Sequence, residues 1–286
     1  MSQKPHVTVR RSTVDHFLAK QAGNVLLALG VTVLVVPFLI ALFVALKPSA
    51  EAASDPLSWP SRITLDNFVD AFNQMNYLQG LANTLEILAG TLFVTILVGS
   101  IASYPLSRIG ASWSQWAYRG FLLGTSVPIW VLLVPLYLFL RDVGLLGSYV
   151  SVVLIYSASL LPIAIFFYAS FLRQVPAELE EAAAIDGAGA LRVFFQIIFP
   201  LLTPITLTLI TYISLAVWND LVIPLIFLNG PGAGTLMSNA YALLNPLVVR
   251  PSTLFPAVIL GVMPLLIMFI FLQRSLVAGL TSGAVK

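Results

Sequence analysis

Asp220 is the acidic residue that lies deepest inside a long apolar stretch, and it directly follows Trp218 and Asn219. A carboxylate at the centre of a bilayer costs about 2.5–3.5 kcal/mol or more, so Asp220 must face a cavity or a partner. Pro224 has no N–H, so a helix through this region leaves the backbone carbonyl of Asp220 unpaired. Adjacent carboxylate, amide and indole groups favour binding of a hydroxyl-rich ligand, and they serve equally well to join neighbouring helices. Trp218, Asn219 and Asp220 are therefore candidates for a solute pathway, with a structural role as the alternative.

Two further polar residues, Asn83 and Glu86, stand at the beginning of the second long apolar run. We include both among the pathway candidates, because polar groups at a membrane depth usually serve a cavity or a partner. Simple contact of Glu86 with water is the alternative.

A polar segment, residues 173–200, separates the fourth and fifth apolar runs. Pro176 suits the first turn of a helix, and acids close behind it are stabilised by about 0.3–1 kcal/mol each at the positive end of the helix. These acids are Glu178, Glu180 and Glu181. Alanines follow, and Gly187 is expected to end the helix. Small alanines and acids favour docking of an arginine-bearing partner protein, and a solvated connecting helix is the alternative.

The composition excludes most classes of soluble protein. The chain of 286 residues is 59% apolar and 9% charged, whereas soluble domains carry roughly 45–50% apolar and about 25% charged residues. It has no cysteine, and both histidines lie in the polar N-terminal segment, so thiol and metal chemistry are not expected. A net charge of +2 gives no reason to expect nucleic acid. The Gly-Lys dipeptide of a phosphate-binding loop does not occur, so we do not expect this chain to hydrolyse ATP.

Six apolar runs are long enough to cross a bilayer as helices, and too long to be strands of a membrane barrel. The sequence therefore predicts an all-α polytopic membrane protein with six transmembrane helices. The spans are expected at about 23–46, 82–107, 119–140, 148–172, 201–228 and 254–273.

The basic residues predict the orientation of the chain. Ten of the 14 Lys and Arg residues fall on the side that holds both termini, so both termini are expected in the cytoplasm. The six-helix domain, residues 23–273, then has its polar loop, residues 173–200, on the cytoplasmic side. Residues 1–22 form a cytoplasmic segment, either a short amphipathic helix on the inner surface or a disordered tail. Residues 274–286 form a cytoplasmic C-terminal tail.

The polar loop carries a motif with fixed spacing. Glu181-Ala182-Ala183, followed by Gly187, Ile197 and Phe199-Pro200, resembles the EAA signature of ABC-importer permease subunits, with Phe199 where leucine is usual. The resemblance runs from Val25 to the C-terminus and is to the carbohydrate class, of the maltose-transporter G type. Its other matches are Asn83-Thr84, Val134-Pro135-Leu136-Tyr137, Leu161-Pro162 and Trp218-Asn219-Asp220.

The resemblance implies a type I ABC-importer permease fold and a translocation subunit that is not itself an enzyme. It also implies that the EAA helix couples ATPase closure to alternating access in half of a sugar pathway in the bacterial inner membrane. The expected contacts with the ATPase are Glu180, Glu181, Ala182, Ala183, Asp186 and Gly187. Two ATPase subunits would bind ATP and Mg, so this chain would hold no cofactor. An F-type permease would complete a heterodimer within the lipid, and an extracytoplasmic solute-binding protein would deliver the sugar.

An ion-coupled secondary carrier of a small polar solute is the alternative function. Such carriers need ionisable groups inside the membrane and usually an internal repeat. Asp220 is the one such group, and no repeat is evident in the sequence.

Overall fold

In the computed structural model, the backbone is described for residues 13–244 and 250–284, and the side chains for residues 20–244 and 250–271. All regular structure in this part of the chain is helical, which confirms the predicted fold class. The α-helices in chain order are α1 (Thr13–Ala45), α2 (Ser49–Ser54), α3 (Asp66–Gln74), α4 (Tyr77–Arg108), α5 (Ser112–Gly124), α6 (Ile129–Asp142), α7 (Tyr149–Leu172), α8 (Glu178–Ile185), α9 (Ala190–Val193), α10 (Phe199–Leu201), α11 (Thr203–Asn219), α12 (Val222–Phe227), α13 (Leu236–Ala242) and α14 (Pro251–Ala284). A π-helical turn, Phe194–Ile198, joins α9 to α10.

Four of these helices, α1, α4, α7 and α14, are each long and apolar enough to cross a membrane. Two bent pairs meet the same test when each pair is taken as one span, which brings the total to six. The first pair is α5 with α6, at 96°, and the second is residues 190–201 with α11, at 70°.

The predicted third span is therefore two helices rather than one. The residue before a proline avoids the helical region, so Pro128 separates α5 from α6. Thr125 donates a hydrogen bond to the carbonyl oxygen of Leu122 at 2.6 Å, which caps the end of α5. The break leaves α6 crossing the direction of α5 instead of continuing it.

The core of the molecule forms where α4 and α7 lie along each other, with α11 packed against both. Glycines on α4 permit this close approach. A Cβ atom built on Gly99 would lie 3.1 Å from the Cβ of Ala164, and one on Gly90 would lie 3.0 Å from a methyl of Val153. Larger residues at these positions would push the two helices apart.

The loop after α1 is organised by a buried cation. Lys47 is fully buried, and its ammonium donates to the carbonyl oxygens of Pro56 at 2.8 Å and Asp55 at 3.2 Å. Its third donor reaches the hydroxyl of Ser58 at 3.3 Å. All three donors of the ammonium are thus satisfied without a carboxylate. From the sequence, Lys47 is one of the four basic residues expected on the side opposite the termini.

The helices at both ends of the chain are long. α1 runs without interruption from Thr13 to Ala45, and the stretch of it that is apolar enough to cross a membrane begins at Lys20. The predicted N-terminal segment, residues 1–22, stays a prediction. Residues 1–12 lie outside the described part of the chain. At the other end the backbone of α14 stays helical to Ala284, through most of the predicted tail.

Candidate functional site

The loop between α7 and α11 contains the short helix that the sequence predicts, and a glycine ends it. Gly187 has φ +78°, and its N–H donates to the carbonyl oxygen of Ala184 at 3.0 Å. The N–H of Ala188 donates to the carbonyl oxygen of Ala183, also at 3.0 Å. These two bonds form a Schellman motif, which needs a left-handed residue at the position of Gly187. A Cβ atom there would meet nothing within 4 Å, so the requirement for glycine is conformational and not steric.

Glu180 faces the protein and fastens α8 to the end of α4. Its Oε1 atom lies 2.7 Å from Nη2 and 2.8 Å from Nε of Arg108. The hydroxyl of Tyr104 donates to Oε2 at 2.7 Å. The side chains of Arg108 and Glu180 are only 18% and 15% exposed, so this ion pair is screened less than a surface pair. Arg108 also donates from Nη2 to the carbonyl oxygen of Val175, at 2.9 Å.

The other face of α8 is turned away from the chain. Four of the residues predicted to contact an ATPase are exposed, namely Glu181, Ala182, Asp186 and Gly187. Ala183 is 9% exposed and, with Glu180, packs against the chain itself. Ile185 is 86% exposed at the tip of the helix. α8 thus presents an apolar side chain between acids, a combination suited to a protein surface.

The membrane-embedded acid lies at a break between two helices. Asp220 has extended backbone angles, φ −77° and ψ 129°, between α11 and α12. Its Oδ1 accepts the N–H of Val222 at 2.8 Å, and its Oδ2 accepts the hydroxyl of Tyr156 at 2.9 Å. The predicted fifth span is therefore interrupted four residues before Pro224, where a continuous helix would leave a carbonyl unpaired.

A cavity of about 520 Å³ opens beside this break. Asn219 and Asp220 line it together with Ser159 and Trp130, and most of its other lining residues are apolar. This volume is within the range of about 300–1,000 Å³ found for small-molecule sites. Asn219 is exposed, and its amide nitrogen donates to the carbonyl oxygen of Leu215 at 2.9 Å.

Trp218 is buried away from that cavity. It is 2% exposed, and its indole N–H donates to the carbonyl oxygen of Gly261 in α14 at 3.0 Å. In this conformation the indole joins α11 to α14 and is not free to stack on a solute. Its predicted place in the pathway stays a prediction.

Asn83 and Glu86 lie on different faces of α4. Asn83 is 2% exposed and donates to the carbonyl oxygens of Gly232 at 2.7 Å and Gly234 at 2.9 Å. Its own oxygen accepts a bond at 2.8 Å from Gln79, one turn earlier in α4, so both ends of the amide are bonded and its nitrogen holds the loop between α12 and α13. Glu86 is exposed.

Three residues that form these arrangements were not singled out from the sequence as site residues: Tyr104, Arg108 and Tyr156. From the sequence, Arg108 is one of the ten basic residues expected on the side of the termini. Its spacing from Glu180 carries no local pattern, because the two residues are 72 positions apart. A buried acid is expected to pair with a hydroxyl or a guanidinium. The sequence does not show which residue provides that group, because the pairing depends on how distant helices pack.

Comparisons with known proteins agree with this architecture. A family model described as binding-protein-dependent transport system inner membrane component matches residues 95–282. The chain is 32% identical over 252 residues to the melibiose/raffinose/stachyose import permease protein MelC of Bacillus subtilis. The aligned region covers 88% of this chain and 91% of that protein. It is 29% identical over 266 residues to the diacetylchitobiose uptake system permease protein NgcG of Streptomyces coelicolor, covering 92% and 88%.

A solved structure shares the fold over nearly the whole chain. It is a bacterial ABC transporter involved in the import of the acidic polysaccharide alginate, with a TM-score of 0.81 and 17% identity. The match covers 95% of this chain and 99% of that one. The chain therefore belongs to the family of binding-protein-dependent transport system inner membrane components, and is a multi-pass permease subunit rather than an enzyme.

Proposed function

We propose that this chain is one of the two membrane-spanning subunits of an ATP-driven sugar importer, and that α8 is the helix on which the ATPase acts. The observation that carries the proposal is the two-sided arrangement of α8. Glu180 ties one face to the end of α4, while Glu181 and Ile185 stand exposed on a helix that its own chain holds in place. Because one face of α8 is bonded to α4 and the other is exposed, an ATPase that binds the exposed face can displace α8 and, through it, α4.

The names of the relatives support a sugar as the solute. The import permease of Bacillus subtilis is named for melibiose, raffinose and stachyose, and that of Streptomyces coelicolor for diacetylchitobiose. A protein of Thermoanaerobacterium thermosulfurigenes, 28% identical over 284 residues, is named a probable permease for starch degradation products. These solutes are neutral oligosaccharides, so a mostly apolar pathway with a few polar groups suits them.

The partners follow from this proposal. Two ATPase subunits bind ATP and Mg on the cytoplasmic side, where the positive-inside rule predicts both termini of this chain and α8. A second permease subunit of the F type completes the pathway, and an extracytoplasmic protein delivers the sugar. One solved relative is an alginate transporter in complex with a periplasmic protein that holds an alginate pentasaccharide.

The cavity beside Asp220 is the proposed stretch of the sugar pathway in this subunit. Asn219 is exposed there and has an amide oxygen to offer to hydroxyl groups. Asp220 already accepts two hydrogen bonds from its own chain, so we assign it to holding the break open and Asn219 to contact with the solute. Glu86, Asn83 and Trp218 stay predicted parts of the pathway, and in this conformation Asn83 and Trp218 bond within the chain.

Uptake by the purified complex in liposomes tests the function. The chain is expected to co-purify with an ATPase and a second permease, and ATP inside the vesicles is expected to drive uptake of a labelled oligosaccharide. Glu181→Ala should lower uptake while the protein stays inserted, and Glu178→Ala, on the same helix but outside the predicted contact set, is the matched control. Uptake by this chain alone, driven by a proton or sodium gradient, would show a secondary carrier instead.

A further inference from the structure

α4 touches two regions that lie at opposite ends of the bundle. Its last turns contact the loop that contains α8, and its first turns contact the loop between α12 and α13. Asn83 and Arg108 lie about 38 Å apart along the axis, at about 1.5 Å per residue. α4 is one continuous helix of 32 residues over this distance, in contrast to the broken third and fifth spans. Its internal proline, Pro105, lies between Tyr104 and Arg108, so the stretch from Asn83 to Tyr104 contains no proline.

The first contact region, which we call the inner latch, consists of Arg108, Tyr104 and the groups they hold. Arg108 binds Glu180 of α8 and the carbonyl oxygen of Val175 before it. The ring of Tyr104 meets Phe194 edge to face, with centroids 5.7 Å apart, while its hydroxyl binds Glu180. Phe194 begins the π-helical turn on the far side of α8. Both limbs of the loop are thus fixed to the same two turns of α4.

The second contact region, the outer latch, consists of Asn83 and Thr84 with the backbone they hold. Asn83 donates to two carbonyl oxygens of the loop, those of Gly232 and Gly234. The hydroxyl of Thr84 accepts the N–H of Leu236 at 2.9 Å. All these groups lie in buried or partly buried positions, so breaking them leaves unpaired polar groups.

We propose that α4, the inner latch and the outer latch move as one rigid unit, so that Arg108 and Tyr104 are positioning residues that transmit a displacement of α8 to the loop at residues 228–236. The proposal rests on the proposed function, which supplies the displacement. Its physical basis is that bonded groups at both ends of one continuous helix cannot shift separately without breaking buried hydrogen bonds and an ion pair. Loss of the inner latch removes the hydrogen bonds and the ion pair that fix α8 to α4.

Spin labels on the two loops test this rigidity directly. The chain contains no cysteine, so Glu178→Cys and Pro231→Cys, both at exposed positions, give one labelled pair when the partner subunits are made cysteine-free. Double electron–electron resonance is recorded on the reconstituted complex without nucleotide and with ATP and vanadate. We expect one narrow distance that nucleotide does not change. A nucleotide-dependent change in this distance in the wild-type complex would overturn the proposal.

Arg108→Ala should broaden the distance distribution and lower sugar uptake per ATP hydrolysed by about tenfold, within the range of coupling between sites. Tyr104→Phe removes one bond and should give the same change to a smaller extent, and it remains informative if Arg108→Ala does not fold. The exchanged pair, Arg108→Glu with Glu180→Arg, should restore both readouts at least in part. Arg119→Ala is the matched control, because Arg119 is exposed and its guanidinium lies over Trp116, away from α8.

The outcomes separate this inference from the function on which it rests. Uptake failing in the wild-type complex with ATP hydrolysis intact would contradict the proposed function, while the nucleotide-free distances in wild type and Arg108→Ala would still decide the latch. Unchanged distances and unchanged uptake in Arg108→Ala would reject the latch alone. An exchanged pair no better than Arg108→Ala would also reject it.

Discussion

Asp220 is the position where stability and solute contact can be separated by a short series of substitutions. Its two oxygens accept from the N–H of Val222 and from the hydroxyl of Tyr156, which is 4% exposed. In Asp220→Asn the amide oxygen can still accept from Val222, and the amide nitrogen can donate to the oxygen of Tyr156, which rotates its proton away. In Asp220→Ala both partners lose their acceptor.

The expected costs follow from these contacts. Asp220→Ala should lower the free energy of unfolding by about 2–4 kcal/mol, since an unpaired buried polar group costs about 1–3 kcal/mol. Asp220→Asn should cost less than about 1 kcal/mol, because both contacts survive and only the charge is lost. A double-mutant cycle of Asp220→Ala with Tyr156→Phe should give a coupling between about 0.6 kcal/mol, the average measured for hydrogen bonds between membrane helices, and about 1.7 kcal/mol, the maximum.

Reversible unfolding in mixed detergent micelles measures all four proteins of this cycle, and uptake of a panel of oligosaccharides measures preference. We expect the ranking of the sugars to stay the same in Asp220→Asn, and the Michaelis constant for uptake to rise in Asn219→Ala. Equal destabilisation by Asp220→Asn and Asp220→Ala, or no coupling to Tyr156, would refute the hydrogen-bonding argument. An altered ranking with unchanged stability in Asp220→Asn would place the carboxylate in the solute pathway.

Two further predictions concern Gly187, which ends α8, and Asn83, which belongs to the outer latch. Gly187→Ala should cost about 1–2 kcal/mol from its left-handed backbone alone, since its Cβ meets no atom; uptake relative to ATP hydrolysis and thermal stability check this, and Gly187→Asn should be milder. Asn83→Ala leaves the carbonyl oxygens of Gly232 and Gly234 without their donors and should cost about 2–4 kcal/mol. The thermal unfolding of Asn83→Ala should be compared with that of Glu86→Ala, which alters an exposed residue one turn away and should be nearly neutral.

The sequence alone determined that this protein lies in a membrane and that its fold is all-α. An excess of apolar residues and six long apolar runs permit only helices in a membrane, because each run must satisfy its backbone polar groups internally. The position of α8 and its end at Gly187 were also predictable, since a proline near a helix start and a glycine stop are local signals, although α8 begins at Glu178, two residues after Pro176.

The tertiary structure decided which partner each polar group has and where the spans break. The carboxylate of Asp220 is bonded by Tyr156, which reaches it from α7 across 64 residues of sequence. The role of Glu180 depends on Arg108 at the end of α4, and the burial of Lys47 depends on the fold of the loop after α1. These pairings arise from the packing of distant helices, and no local pattern of residue types carries them, because a side chain's partner is chosen by position in space rather than by position in the chain.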